Sequence, residues 1–321
     1  MAIAHHHASA SPLQISPPRP STVAVTGARG LVGAALAQSL ATHGTRLIRL
    51  VRGALRDGEA AWDVDQGLVD PSSFTDVDAV VHLAGENIAV GRWNEAKKRR
   101  ILESRVQGTR NLCESLVNLP TPPKTLVCAS AIGYYGDCGD SIVAEGSAPG
   151  RGFLPEVCVA WENATKRAEE AGIRVVHLRI GIVLSRDGGA LQKMLLPFQL
   201  GLGGVVGHGA QYWSWVSLPD LVGQIEHALS CTELRGAVNA TSPNPVTNRE
   251  FTKTLGRVLV RPTLFPMPAF AARLALGEMA DALILASTRV APVRLRETGY
   301  EFLHPDLEGA LRAVLARKGT A

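Results

Sequence analysis

Residues 26–33 read TGARGLVG, three glycines spaced three apart with an arginine between the first two. The run STVAVTG (21–27) leading into it is short and β-rich. The run LVGAALAQSLATHG (31–44) leading out of it sets apolar residues at helical spacing and stops at Gly44. Strand, glycine turn and helix, in that order, form the context in which such glycines hold a dinucleotide. Gly27 permits the tight turn, Gly30 lets a pyrophosphate approach the backbone, and Gly33 lets helix and strand pack closely. Backbone N–H groups over Ala28, Arg29, Leu31 and Val32, with the positive end of the helix, then face the phosphates.

The rest of the chain repeats the alternation. TRLIRLVR (45–52), DAVVHLAG (78–85), KTLVCASAI (124–132) and RVVHLRIGIVL (174–184) are near-continuous apolar runs, as strands buried on both faces of a parallel sheet must be. Helical segments separate them, roughly 93–119 and 152–171, which predicts an α/β doubly wound parallel sheet of the Rossmann kind. After Leu184 the alternation breaks into a glycine-rich loop (200–209), the aromatic stretch QYWSWVSLPD and helices expected near 248–259, 269–284 and 306–317. The expected organisation is a disordered tail (1–20), a dinucleotide-binding domain (21–241) with a substrate-facing insertion (186–215), and a small helical C-terminal lobe (242–321). His5, His6 and His7 belong to the tail and read as solvated residues or a tag remnant.

The end of the second strand selects the nucleotide. An NAD site places an acid about 20 residues past the glycines to bind the ribose hydroxyls, whereas a 2′-phosphate calls for a cation. No acid occurs from Ala34 to Arg56, Arg52 stands 19 residues after Gly33, and Arg29 projects from the glycine turn. NADP(H) is therefore expected over NAD(H), the alternative being that both arginines are merely solvated. Leu83, Ala84 and Gly85 end the next strand with room for a ring or ribose, or simply for close packing. Glu86 and Asn87 follow as cofactor-side polar contacts or as a helix-leading turn.

Bulk properties bound the remaining classes. A chain of 321 residues with 46 % apolar and 19 % charged residues is globular, and its net charge of +4 gives no nucleic-acid footprint. The partner expected is a small molecule. Five cysteines, Cys113, Cys128, Cys138, Cys158 and Cys231, form no CxxC pair and read as reduced core thiols of a cytoplasmic protein. Residues 194–219 carry no Asp, Glu, Lys or Arg, but five glycines, Pro197, Gln199, His208 and Gln211 argue against a membrane segment. No metal set is expected, since the nine histidines show no HExxH pattern.

TGARGLVG, HLAG and SAIGYYG, in this order and spacing, resemble the extended short-chain dehydrogenase/reductase superfamily in its NAD-dependent epimerase/dehydratase branch. Longer stretches, LAGENIAVGRWNEAKKRRILESRV (83–106), ASAIGYYGD (129–137), GFLPEVCVAWE (152–162) and SWVSLPDLV (214–222), are similar to nucleoside-diphosphate-sugar epimerase-like proteins that end in a small domain of unknown function. The resemblance implies a Rossmann fold and a sugar-nucleotide-like cleft, and it leaves the substrate open.

Enzymes of that superfamily generally use a Tyr-x-x-x-Lys pair, the ammonium lowering a phenol pKa that starts near about 10. Four residues beyond Tyr134, Tyr135, Tyr212 and Tyr300 come Cys138, Gly139, Val216 and His304, so this chain has no such pair. Aligned through Glu162, Leu154 and Cys158 take the usual tyrosine and lysine places; aligned through Tyr135 and Gly136, Ala131 takes the usual serine place beside Ser130. Substitute catalytic residues are expected at Ser130, Tyr134 and Tyr135, each of which has a packing or structural hydrogen-bonding role as its alternative. Arg92, Trp93 and Arg105 are candidates for a substrate phosphate. Gln211, Trp213 and Trp215 read as a ligand-covering wall or as core. The activity expected is hydride transfer in a reductase or epimerase, and the competing reading is a non-catalytic NADPH-binding regulator.

Overall fold

The computed structural model describes residues 19–68 and 71–316, so residues 1–18 of the expected tail, with its histidines, lie outside the described residues. The chain opens with β1 (Thr22–Thr26), α1 (Leu31–Thr42), β2 (Arg46–Val51), β3 (Glu59–Asp63), β4 (Gly67–Leu68), β5 (Ala79–His82), α2 (Glu95–Val117) and β6 (Thr125–Ala131). There follow β7 (Ile142–Val143), α3 (Phe153–Asn163), α4 (Lys166–Glu170), β8 (Arg174–Ile180), β9 (Ile182–Leu184), α5 (Gly189–Gln199), β10 (Tyr212–Trp213), β11 (Trp215–Ser217), α6 (Leu218–Ser230) and β12 (Gly236–Ala240). The C-terminal part adds β13 (Val246–Thr247), α7 (Asn248–Leu259), α8 (Ala269–Leu276) and β14 (Arg289–Val290), and it closes on a helix at Leu307–Leu315.

Eight strands form the central sheet in the order β12-β8-β6-β5-β1-β2-β3-β4, parallel throughout except where β4 turns back on β3. All five residues of β1 are buried because apolar helices cover both faces. One core lies between the sheet and α1 with α6, around Leu36, Leu221 and Ile225, and the other lies under α2, around Leu112, Leu116 and Trp161. Neighbours of β1 diverge to β2 on one side and β5 on the other. The crevice at the carboxyl ends of β1 and β5 is where such sheets bind ligands.

The doubly wound sheet agrees with the sequence reading, and several details depart from it. β3, β4 and β12 lie in segments where no strand was expected, since EAAWD, GL and GAVNA are too short or too small-residue to show a periodic signal. The helix expected over 152–171 breaks at Ala164–Thr165, where Thr165 Oγ1 donates to Glu162 O at 2.8 Å and pairs with His177 Nε2 at 2.7 Å. The helix expected over 269–284 also divides: Gly277 at φ 63° ends α8, and a π-helix at Asp281–Leu285 follows the short turn Glu278–Ala280. A third core of Leu191, Trp213, Trp215, Phe251 and Leu311 holds the C-terminal elements together. Among the described residues no helix is long and apolar enough to cross a membrane, and no cluster of His, Cys, Asp or Glu could hold a metal ion.

Candidate nucleotide site

The glycine turn has no room for side chains. A Cβ on Gly33 would lie 2.2 Å from Gly27 O, and one on Gly27, at φ 67°, would lie 3.0 Å from the backbone of Leu83. Gly30 N donates to Gly27 O at 2.9 Å, which closes the turn. Helix α1 starts without a side-chain cap and without an acid in its first turn, so its leading N–H groups and positive end remain available to an anion. Leu31 packs against the 188–189 bend of the insertion, since a Cβ at Gly188 would lie 3.2 Å from its side chain.

A buried polar relay fastens the ends of β1 and β5 to α2 and α3. Thr26 Oγ1 accepts from the backbone N–H groups of Leu83 (3.1 Å) and Ala84 (3.2 Å), so its own proton goes to His82 Nδ1 at 2.7 Å. His82 Nε2 must then carry the ring proton and donate it to Thr109 Oγ1 at 3.0 Å, which also accepts from Trp161 Nε1 at 3.0 Å. Burial, with the Arg105 charge adding to it, lowers the His82 pKa to about 4, so the ring stays neutral. The relay fixes the path of Leu83, Ala84 and Gly85 past the glycine turn.

The cations flanking the turn differ in their commitments. Arg52 follows the last residue of β2, is exposed, and has no hydrogen bond or ion pair among the described residues. Arg29 is ion-paired with Glu59 at 3.0 Å, and that carboxylate also accepts from Arg56 N at 3.1 Å. Its hydrogen bond from Arg29 holds the Glu59 pKa below the usual carboxylate value. Glu86 is paired with buried Lys97 at 2.6 Å, and Arg105 Nη1 donates to Glu86 O at 3.0 Å while its guanidinium lies over Trp161 at 4.9 Å. Arg105 therefore buttresses the Leu83–Glu86 bend from behind. A Cβ on Gly85 would meet its guanidinium carbon at 3.2 Å.

Beyond β6 the chain makes a tight turn through Tyr134 and Tyr135, and the two phenols have different surroundings. Tyr135 is 2 % exposed; its hydroxyl donates to Asn239 Oδ1 at 2.7 Å and accepts from Arg179 Nη1 at 3.0 Å. Burial pushes its pKa up to about 12. Ser130 Oγ donates to Glu162 Oε1 at 2.7 Å, and Arg179 grips the same carboxylate with two bonds of 2.8 Å. Tyr134 is half-buried, its ring lies 3.4 Å from the Arg179 guanidinium, and its hydroxyl has no partner among the described residues. Of the three catalytic candidates, only Tyr134 presents an uncommitted proton donor.

Leu154 and Cys158 face this turn. A Cβ on Gly133 would lie 3.4 Å from Leu154 Cβ and 3.9 Å from Cys158 Sγ. Burial, reinforced by the Glu162 charge, pushes the Cys158 thiol up to about 12, so it is a protonated packing group. C-terminal residues lace the turn's outer side: Cys138 N donates to Ser287 O at 2.7 Å, Ser287 N to Asp137 Oδ1 at 3.2 Å, and Thr288 Oγ1 to Gly136 O at 2.9 Å.

The substrate candidates do not assemble in one place. Arg92 donates to Leu274 O, tying the loop after β5 to α8, while Trp93 donates to Ile88 O at 2.8 Å and stacks edge-on against Phe153. Gln211, Trp213 and Trp215 are 1 %, 4 % and 0 % exposed; both indoles and the Gln211 amide N–H donate to backbone carbonyls, so these three are core, not wall. Arg179, His82, Thr26 and Asn239 were not singled out in the sequence, and Glu162 served there only as a point of alignment. Arg179 inside the apolar run RVVHLRIGIVL was the available signal, because a charge in a doubly buried strand requires a buried partner.

Comparison with known proteins places this geometry. Residues 23–239 match the NAD dependent epimerase/dehydratase family, and 267–314 match a domain of unknown function, DUF1731. The epimerase family protein Mb2239 of Mycobacterium bovis is 42 % identical over 300 residues, covering 93 % of this chain and 99 % of that protein. The human epimerase family protein SDR39U1 is 35 % identical over 300 residues, covering 92 % and 99 %. A crystal structure of that human protein (isoform 2) with NADPH superposes with a TM-score of 0.85 at 34 % identity, covering 91 % of this chain and 98 % of that one. The chain belongs to the NAD dependent epimerase/dehydratase family.

Proposed function

From that membership we propose that the chain is an NADP(H)-dependent, epimerase-like short-chain dehydrogenase that transfers hydride to a carbonyl or sugar-nucleotide substrate. The observation that carries the cofactor is the side-chain-free cradle of Gly27, Gly30 and Gly33 beneath an uncapped helix, with unpaired Arg52 beside it. The human relative crystallised with NADPH supports the same choice. Gly27 to Gly33 would hold the pyrophosphate, Leu83 to Glu86 would border the ribose, and Arg52 would take the 2′-phosphate.

Bound NADPH would supply a hydride. The chain's own part is to orient the carbonyl and deliver a proton to its oxygen. Tyr134 is the group proposed for this, because its hydroxyl alone is free, and the Arg179–Glu162 pair holds its ring in place. With no lysine under the phenol, the neutral hydroxyl acts as donor. Ser130 and Tyr135 act as the scaffold of that pair. Five unpaired cysteines support work in a reducing compartment such as the cytoplasm.

One observation favours a second reading. Leu154 and protonated Cys158 stand where the superfamily's acid and base are expected, as in a protein that holds NADPH without turning it over. Oxidation of NADPH, followed with pools of carbonyl compounds and by product analysis with sugar nucleotides, separates the two. Turnover that falls at least about 100-fold in Tyr134→Phe, with unchanged melting, supports the enzyme. Turnover equal to wild type removes Tyr134, and NADPH retained without consumption favours the holder.

A further inference from the structure

The C-terminal lobe carries an outward apolar surface that nothing above uses. Leu196 in α5, Leu200 just past its end, Leu264 and Phe265 in the loop between α7 and α8, and Phe270 and Leu274 on α8 are 59–75 % exposed. Backbone and side-chain bonds stitch these segments into one surface: Arg261 Nε donates to Gln199 O at 2.9 Å, and Met267 N to Val205 O at 2.8 Å. Helix α8 is inverted relative to an ordinary surface helix. Its buried contact is Ala272, while Phe270, Arg273 and Leu274 face solvent. A contiguous exposed patch of this kind marks an interaction site.

Charge on the same segments selects the partner. Residues 188–219 and 251–277 contain no Asp or Glu. Lys193, Lys253, Arg261 and Arg92 bond to the carbonyl or hydroxyl oxygens of Ala89, Thr263, Gln199, Val260 and Leu274, with no carboxylate partner among the described residues. Exposed Leu and Phe interleaved with uncompensated cations complement an anionic amphipathic plane. The nearby acids Asp281 and Glu308 are already paired with Arg273 and Arg257, so a second copy docked through the same patch would set Lys193, Lys253, Arg261 and Arg92 against one another without a carboxylate to match them.

We propose that this face docks on the surface of an anionic lipid bilayer. The contact is interfacial and needs no spanning helix, so it qualifies the expectation of no membrane partner without assigning a membrane segment. It is independent of whether the nucleotide site turns over. Phe270 and Leu274 would enter the headgroup boundary, and the four cations without a carboxylate partner would lie against anionic headgroups.

Flotation of the full chain with vesicles of phosphatidylcholine, with and without phosphatidylglycerol, tests this. The chain should float with the anionic vesicles, float far less with neutral ones, and be released as salt shortens the screening length. Each cation near an anionic surface contributes about 1 kcal/mol, so Lys253→Glu should lower partitioning at least about fivefold. Phe270→Asp with Leu274→Asp should abolish it. Unchanged melting and unchanged NADPH binding would confirm that these solvent-facing changes leave the fold intact. Failure of the wild-type chain to float with anionic vesicles would overturn the proposal. So would variants that partition like wild type, equal binding to both vesicles at every salt concentration, or a dimer that Phe270→Asp dissociates without lipid.

Discussion

Replacing Arg52 by glutamate is the sharpest test of cofactor choice. The residue stands immediately past β2, exposed, so its removal breaks no hydrogen bond or ion pair among the described residues and a change in binding belongs to the ligand. A hydrogen bond to a charged group contributes about 1.5–3 kcal/mol, and an exposed position takes the lower end. Arg52→Ala should then weaken NADPH about tenfold and leave NADH within about twofold. Arg52→Glu adds repulsion of similar size against the 2′-phosphate while offering an acceptor to the NADH ribose, so the preference should invert. Arg29 cannot fully compensate, because Glu59 already holds its guanidinium at 3.0 Å. Titration calorimetry with both coenzymes on wild type and both variants gives the four ratios needed. Equal affinity of the wild type for NADPH and NADH, or a ratio untouched by Arg52→Glu, would refute the reasoning.

Acid should weaken the fold through His82. Above pH 6.5 neither the folded nor the unfolded ring is protonated; between 6.5 and about 4 the unfolded chain takes up a proton that the folded one cannot. Stability should fall by about 3 kcal/mol across that window and level off below it, and chemical denaturation of His82→Asn at a series of pH values should lack this component. Arg179→Met leaves the mostly enclosed Glu162 carboxylate, 12 % exposed, without its bidentate partner, so unfolding stability should drop by about 3 kcal/mol. Adding Glu162→Gln should recover part of the loss; a double variant as unstable as the sum of the singles would show that the two side chains do not act as a pair.

The glycine turn and the parallel sheet were legible because each obeys a local rule: three glycines between a strand and a helix, and apolar runs of strand length. The residues proposed for the cofactor were read from the same run, whereas the relay through Thr26, His82 and Thr109 was not. Its members lie 56 and 27 residues apart, and threonine or histidine in a β-rich run carries no local signal of a buried partner. Ser130, in β6, and Tyr135, in the turn after it, were expected to be catalytic; their hydroxyls donate to Glu162 and Asn239, and the proposed function gives them a scaffold role. The aromatic residues 213 and 215 illustrate a different limit. A tryptophan in a short strand has the same letters whether it faces a ligand or a core, and burial decided for the core.

The clasp between residues 287–288 and the loop just after Tyr135 spans about 150 positions of chain. During synthesis the tyrosine bend leaves the ribosome long before its fastener exists. A nascent polypeptide can thus assemble its nucleotide cradle early and acquire a braced tyrosine only once residues 287 and 288 have emerged, and a cut before Ser287 would return that bend to its unbraced state.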